Sequence, residues 1–265
     1  MTGRDDLTPE AINALRRDLE EQLDGDVHFE RFFRGMHSTD ASVYQIVPLG
    51  VVAPRSRDDV VNTVALCRQH GVSITARGGG TSQAGQAIGP GIALDFSRHM
   101  HRLLDLDTAG RTVRVEPGIV LDELNARLKP HGLQLPLDLS TSSRATIGGM
   151  IANNSAGTRS IVYGKTIDYV EELEVVLADG ALATMRRLDD AALDEKCAGD
   201  NLESECYRAV RELGAAHQDE IRRRYPKILR RVGGYNLDEF LPTAGPFNLC
   251  RIMVGSEGTL GMTVA

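Results

Sequence analysis

Three glycines in a row, Gly78, Gly79 and Gly80, follow the strand-like run VSITAR (72–77) and open the segment RGGGTSQAG. Glycine accepts positive φ and lets backbone approach its neighbours closely. A strand that runs into three of them therefore ends in a tight turn with bare backbone on show. Successive main-chain N–H groups in such a turn form a concave anion site, and Arg77, Thr81 and Ser82 add side-chain donors. The plainer alternative is a turn that needs glycine for its shape alone. Two familiar phosphate motifs fail on named residues. Gly80 and Gly85 have the spacing of a P-loop, but Gln86 stands where the lysine belongs. The dinucleotide fingerprint would need glycine at position 83, which is Gln83.

Two further small-residue segments change the weighting: TIGGMIANNSAG (146–157) and SEGTLG (256–261). Three backbone-exposing segments in one chain suit an extended ligand touched at several points, such as a dinucleotide with a large planar head. Between them the pattern predicts a mixed architecture. A helix is expected over 7–23, where Thr8 caps, Pro9 suits the first turn, and Ile12, Leu15, Leu19 and Leu23 recur at helical spacing. An irregular arm follows to about residue 45. IVPLGVVAP (46–54) reads as a strand, and 56–71 as a helix with Ser56 and Asp59 at capping-box spacing and Gly71 as its stop. VSITAR and PGIALDF (90–96) complete a small βαβ unit with parallel strands. Later come a strand at 111–118, a helix at 119–132, a loop-rich stretch at 133–166, a hairpin over 170–185, helix over 203–224 and a strand at CRIMVG, 250–255. The β-like ending MTVA predicts that the domain continues past Ala265.

Composition narrows the classes of function. The chain has 265 residues, is 42% hydrophobic and 25% charged, and carries a net charge of −7, so it buries a core and is a poor polyanion binder; nucleic acid is not an expected partner. The start MTGRDDLTPE has no apolar signal region, and the longest nearly apolar run, Ile46 to Pro54, falls far short of the ~20 residues of a membrane span. Cys67, Cys197, Cys206 and Cys250 show no C-x-x-C spacing, so free thiols are expected rather than zinc ligands or a disulfide frame. The expected compartment is reducing and cytoplasmic, with peripheral membrane attachment through a partner left open.

RGGGTSQAG, PLDLSTSSRATIGGMIANNSAG, YGKTIDYVEELEVVLADG and GSEGTLG occur in this order. Together they resemble the FAD-binding domain of the vanillyl-alcohol oxidase/p-cresol methylhydroxylase superfamily. Within it, the resemblance is to the D-lactate dehydrogenase and glycolate oxidase flavoproteins. RRVGGYNLDEF and the 31–45 arm resemble the large fused members that act on D-2-hydroxy acids and carry an iron–sulfur module farther on. The resemblance covers about 46–265. It implies an α+β fold of two lobes with FAD between them: an N-terminal helix and arm (1–45), a first lobe (46–110) with a small parallel βαβ sheet, and a second lobe (111–265) with a larger mixed or antiparallel sheet.

It also implies roles residue by residue. Arg77, Gly78, Gly79, Gly80, Thr81, Ser82, Gly85 and Gln86 match the pyrophosphate loop, where bare backbone lets N–H groups reach two phosphates at once. Pro117 and Gly118 border the adenosine side; Pro136, Leu137, Asp138 and Ser142 approach the flavin end. Thr146, Gly148, Gly149, Asn153, Asn154 and Gly157 match the second binding segment, with Tyr163, Gly164 and Val170 completing that wall. Ile252, Val254, Gly255, Glu257 and Gly258 match the segment that returns to the cofactor, and Gly233, Gly234, Tyr235 and Asn236 lie near the flavin ring by analogy. Thr81 occupies the position of the histidine that binds FAD covalently in some members, so noncovalent FAD is expected.

The implied reaction is hydride transfer from a 2-hydroxy acid of the D-lactate, glycolate or D-2-hydroxyglutarate class to flavin N5. An electron acceptor or iron–sulfur module is the implied partner, any cluster lying beyond Ala265. The base, the carboxylate-binding cations and any metal-holding histidines are also expected there, so no catalytic residue is assigned in this chain. Its own histidines are dispersed, and His99-Met100-His101 reads as a surface turn rather than a metal pair. The basic block RRRYPKILRR (222–231) reads as a solvated helix end, with a docking patch as the alternative. A UDP-sugar enolpyruvyl reductase and a binding module without cofactor are the competing functions, and a nucleotide triphosphatase ranks last because of Gln86.

Overall fold

The structure is a computed structural model that describes residues 7–265; the polar start MTGRDD lies outside them. Helix α1, Pro9–Gln22, begins where its sequence says it should. Thr8 Oγ1 accepts from the Ala11 amide at 3.2 Å, Pro9 needs no amide partner in the first turn, and Leu15 and Leu19 are buried. The arm behind it is less irregular than its polar composition predicts. It contains strand β1, Asp26–His28, and helix α2, Arg31–Met36.

Strand β2, Gly50–Ala53, leads into helix α3, Arg57–Gln69, strand β3, Ile74–Arg77, and strand β4, Ile92–Asp95. The sheet order is β1-β2-β4-β3, with β1 antiparallel to β2 and β4 running parallel between β2 and β3. The α3 cap is half of the expected box. Ser56 Oγ accepts from the Asp59 amide at 3.2 Å, but Asp59 turns its carboxylate to the amides of Asp24 and Arg55, at 2.9 and 2.8 Å. It thereby ties the arm to the helix start. Gly71, at φ +67°, ends the helix.

Strands β5, Leu103–Asp107, and β6, Thr112–Val115, form an antiparallel pair. Helix α4, Leu121–Leu128, follows. The stretch 133–166, expected as loop, holds two short helices: α5, Ile147–Asn153, and α6, Ser160–Tyr163. Strands β7, Glu172–Val176, and β8, Leu182–Arg186, are the expected hairpin, turning at Gly180 with φ +88°. Helices α7, Asp190–Ala198, α8, Leu202–Ala216, and α9, Gln218–Arg224, pack beyond it, the single helix expected over 203–224 breaking at His217. CRIMVG is not a strand. Its first four residues are helix α10, Cys250–Met253, with Asn248 Oδ1 holding the Cys250 amide at 3.0 Å. A six-residue run buried at every position but Arg251 has no periodicity to separate the two states. Strand β9, Met262–Thr263, then pairs with β7, giving the antiparallel order β8-β7-β9.

Strand β7 serves two cores. Leu173 and Val175 face a cluster with Met150, Met185, Tyr207 and Leu249, while Val176 joins Val264 in the cluster of Leu19, Val60, Ile92 and Leu94. Successive side chains of a strand point to opposite faces, so one strand is the common wall. Among the described residues, no helix is long and apolar enough to cross a membrane.

Candidate functional site

The glycine run at the end of β3 is shaped by what it touches. A Cβ on Gly78 would lie 2.1 Å from Thr146 Oγ1, and one on Gly79 would lie 2.1 Å from the Arg144 carbonyl oxygen. Neither position has room for a side chain. Gly80 has φ +64°, and a Cβ there would meet Arg77 Nη2 at 2.6 Å. The loop is therefore pressed against the start of α5, where Thr146 Oγ1 accepts from the Gly149 amide at 3.3 Å. Pro117 enters from a third side: its carbonyl accepts from the Gly148 amide at 2.8 Å, and a Cβ on Gly148 would sit 2.7 Å from Pro117 Cβ.

The third glycine-rich segment closes the opposite wall. The amides of Gly255 and Glu257 donate to the carbonyls of Ile151 and Ala152, each at 2.9 Å, so the segment is laced to α5. Gly255, Glu257 and Gly258 all have positive φ. The result is a solvent-open cleft between these walls. Of the residues assigned from sequence, it brings together Arg77, Gly78, Pro117, Thr146, Gly148, Gly149 and Gly258. Ala76, Phe96, Met253 and Met262 also line it and give it an apolar side. Sequence reading missed these four because nothing local marks an apolar residue as lining a cleft rather than filling a core.

The loop beyond Gly80 is cross-tied. The Ser82 hydroxyl bonds the Gln86 side-chain carbonyl, and Gln86 Nε2 donates to Glu257 Oε1 at 3.4 Å, joining the first and third segments. Tyr44 covers Gly85, where a Cβ would lie 3.1 Å from its ring. Thr81 is half-buried. Gly118 is wedged under Phe96 and Met100, its amide donating to the Met100 carbonyl at 2.7 Å. Arg77 does not reach into the cleft with its charge. Its Nη1 donates backwards to the carbonyls of Ala87 and His37, at 3.2 and 3.5 Å. Burial pushes its pKa down, against the pull of Asp95 and Asp40.

The remaining assigned residues gather around α6 and the core. Gly157 lies so close to Asp138 that a Cβ would sit 2.3 Å from its carbonyl oxygen, and Asp138 pairs with Arg159 at 3.1 Å. Pro136 is half-buried, and the Ser142 carbonyl accepts from the Asp122 amide at 3.2 Å. The Tyr163 carbonyl accepts from the Tyr169 hydroxyl at 2.7 Å, and Gly164, at φ +74°, passes over Asp168. Leu137, Val170, Ile252 and Val254 point into the core. Asn153 Nδ2 donates to Ser155 Oγ. Asn154 is fully buried with φ +47°; its Oδ1 accepts from the Ile167 amide at 3.1 Å, while its Nδ2 has no partner.

Other candidates resolve into structural roles. His99 Nε2 meets Asp26 Oδ2 at 2.9 Å, and among the described residues no group of three His, Cys, Asp or Glu side chains is placed to hold a metal. Four arginines of the basic block are paired. Arg222, Arg223 and Arg224 meet Asp219 and Glu220, and Arg231 meets Asp238 at 2.6 Å. Arg230 reaches the Ala156 carbonyl, which fastens the block over the α6 loop, and Asn236 Nδ2 donates to the Val254 carbonyl at 2.7 Å.

Residues 48–186 match the family described as FAD binding domain. The chain is 41% identical over 259 residues to D-2-hydroxyglutarate dehydrogenase of Pseudomonas putida, covering 97% of this chain and 25% of that protein. It is 39% identical to the enzyme of the same name from Escherichia coli, covering 94% and 25%. It is 32% identical to glycolate oxidase subunit GlcD of Bacillus subtilis, covering 94% and 43%. Among solved structures, an alkyldihydroxyacetonephosphate synthase superposes with a TM-score of 0.63 over 98% of this chain and 39% of that one, at 21% identity. The fold is accordingly α+β, of the type those structures share. The chain spans about a quarter of the length of the two dehydrogenases.

Proposed function

The chain belongs to the FAD binding domain family, and from that premise we propose that it is the FAD-holding part of a flavin-dependent oxidoreductase that oxidises a 2-hydroxy acid. D-2-hydroxyglutarate is the substrate favoured by the 41% identity over nearly the whole chain. The observation that carries the reading is the meeting of three glycine-rich segments, 78–80, 146–149 and 255–258, on one cleft.

The residues fit such a cofactor in two respects. Gly78 and Gly79 leave main chain where any side chain would collide, which suits a loop whose amides face phosphate oxygens. The same cleft sets these backbone segments opposite an apolar side of Phe96, Met253 and Met262, which suits a ligand with a planar ring system. In this reading the amides of Gly78–Ser82 and the hydroxyls of Thr81 and Ser82 hold the diphosphate. Pro117 and Gly118 border the adenosine, and the 146–157 and 252–258 segments hold the flavin side. Thr81 leaves the attachment noncovalent. The arm 1–45 and lobes 46–110 and 111–265 are the proposed divisions. Bound FAD would supply two-electron oxidation of the hydroxyl-bearing carbon. The base and carboxylate-binding cations, and an electron acceptor or iron–sulfur module, are assigned to the remainder of a longer, cytoplasmic protein.

The test is anaerobic addition of D-2-hydroxyglutarate, D-lactate or glycolate to the purified flavoprotein. Loss of the visible flavin absorbance with one of them, fastest with D-2-hydroxyglutarate, is expected. A flavin that stays oxidised with all three contradicts the substrate class.

A further inference from the structure

A diphosphate brings roughly two negative charges to the loop, and the cations that first suggest themselves are committed elsewhere. Gln86 stands in the P-loop lysine position and is tied to Ser82 and Glu257. The Arg77 guanidinium lies behind the loop, on the carbonyls of His37 and Ala87, between Asp40 and Asp95. Arg159 is on Asp138, Lys165 Nζ on the Arg231 carbonyl, and Arg251 on the Ile167 carbonyl.

Arg144 differs from all of them. Its backbone is fixed against the glycine run: a Cβ on Gly79 would lie 2.1 Å from the Arg144 carbonyl oxygen and 3.6 Å from the Arg144 Cβ. The turn that carries it is held by the Arg144 and Ala145 amides, both donating to the Thr141 carbonyl at 2.8 Å, and Thr146 at once caps α5. Its side chain is exposed, and among the described residues it has no ion pair and no side-chain hydrogen bond. A rigid root beside the loop and an uncommitted guanidinium form the combination that phosphate recognition uses, because the planar fork meets two phosphate oxygens at once.

We propose that Arg144 is the phosphate-binding cation of this site, supplying from the turn just before the second glycine-rich segment the charge that Gln86 does not. This rests on the FAD reading above and adds to it a binding residue that neither the glycine motifs nor the P-loop spacing marks.

The test is FAD titration of the cofactor-stripped protein by flavin fluorescence, at low and high salt, with wild type, Arg144→Gln and Arg144→Lys. Arg144→Gln is expected to weaken FAD binding about 10–100-fold at low salt, the worth of a hydrogen-bonded charge pair. Its affinity should also depend less on salt, and its cofactor-free melting midpoint should match wild type. Arg144→Lys, which keeps the charge and loses the fork, should fall between. Arg144→Gln protein that binds FAD within about twofold of wild type, or that loses affinity only in step with cofactor-free stability, overturns the assignment and leaves the FAD reading standing. Wild-type protein that binds no FAD overturns both.

Discussion

Both ring nitrogens of His37 face acceptors: Nδ1 lies 2.9 Å from the Phe33 carbonyl, and Nε2 lies 3.0 Å from Asp95 Oδ2. Asp95 ends β4 in register with Arg77, whose Nη1 reaches back to the His37 carbonyl at 3.5 Å. The arm is thus fastened to the strand ends that launch the glycine loop. Replacing His37 by Ala strands a mostly buried carboxylate. The expected loss is about 2–3 kcal/mol, below the range for a fully buried pair because Ser97 still donates to Asp95. A urea-unfolding midpoint unchanged from wild type contradicts the pairing.

Acid stability follows from two carboxylates. Burial alone would push Asp95 up, but hydrogen bonds from His37 and Ser97 outweigh it and hold it below the ordinary carboxylate value. Asp26 is also held low, chiefly by the hydrogen bond from His99, with Arg55 and Arg98 adding to it. A carboxylate whose folded pKa is depressed contributes stability that is present above its unfolded value, about 3.9, and is lost as pH falls through the folded one. Melting midpoints should therefore drop below about pH 4. Asp95→Asn should lower stability at neutral pH and flatten that acid limb. A limb of unchanged steepness in Asp95→Asn counts against the role given to this group.

Glycine positions separate close approach from mere flexibility. Gly79→Ala would drive a methyl into the Arg144 carbonyl at 2.1 Å, whereas nothing lies within 4 Å of a Cβ at Gly233. FAD affinity of Gly79→Ala should fall by at least about tenfold, or more than roughly 1.4 kcal/mol. Gly233→Ala should stay within about 0.5 kcal/mol of wild type in stability. Gly79→Ala protein that binds FAD as tightly as wild type contradicts the packing of loop against α5.

The thiols divide by burial. Burial pushes the Cys67 and Cys250 thiols up to about 12, and it raises Cys206 as well. Cys197 and Cys206 are partly exposed. A thiol-directed reagent at neutral pH, followed by peptide mass mapping, should mark Cys197 and, more slowly, Cys206. Cys67 and Cys250 should be marked only after unfolding. Native labelling of Cys67 would contradict the packing of α3 against its sheet.

Local signals were readable wherever one residue satisfies one neighbour. Thr8 and Pro9 start α1, Ser56 starts α3, and Asp179-Gly180 turns the β7–β8 hairpin. Strand β1 and helix α2 escaped because runs of three and six residues are too short to show a period and stand by pairing with β2 and packing on it. CRIMVG escaped because a short run buried at every position but Arg251 shows no period. The glycine segments of the cleft were visible because only glycine fits at Gly78 and Gly79. Their apolar partners Phe96, Met253 and Met262 come from distant parts of the chain and meet only in the folded protein.

A crystal structure of the FAD complex decides the matter. The diphosphate should lie within hydrogen-bond reach of the main-chain amides of residues 78–82, facing Gly148 and Gly149. Density for the diphosphate anywhere else, with the 78–82 amides turned away from it, would contradict the assignment of this cleft.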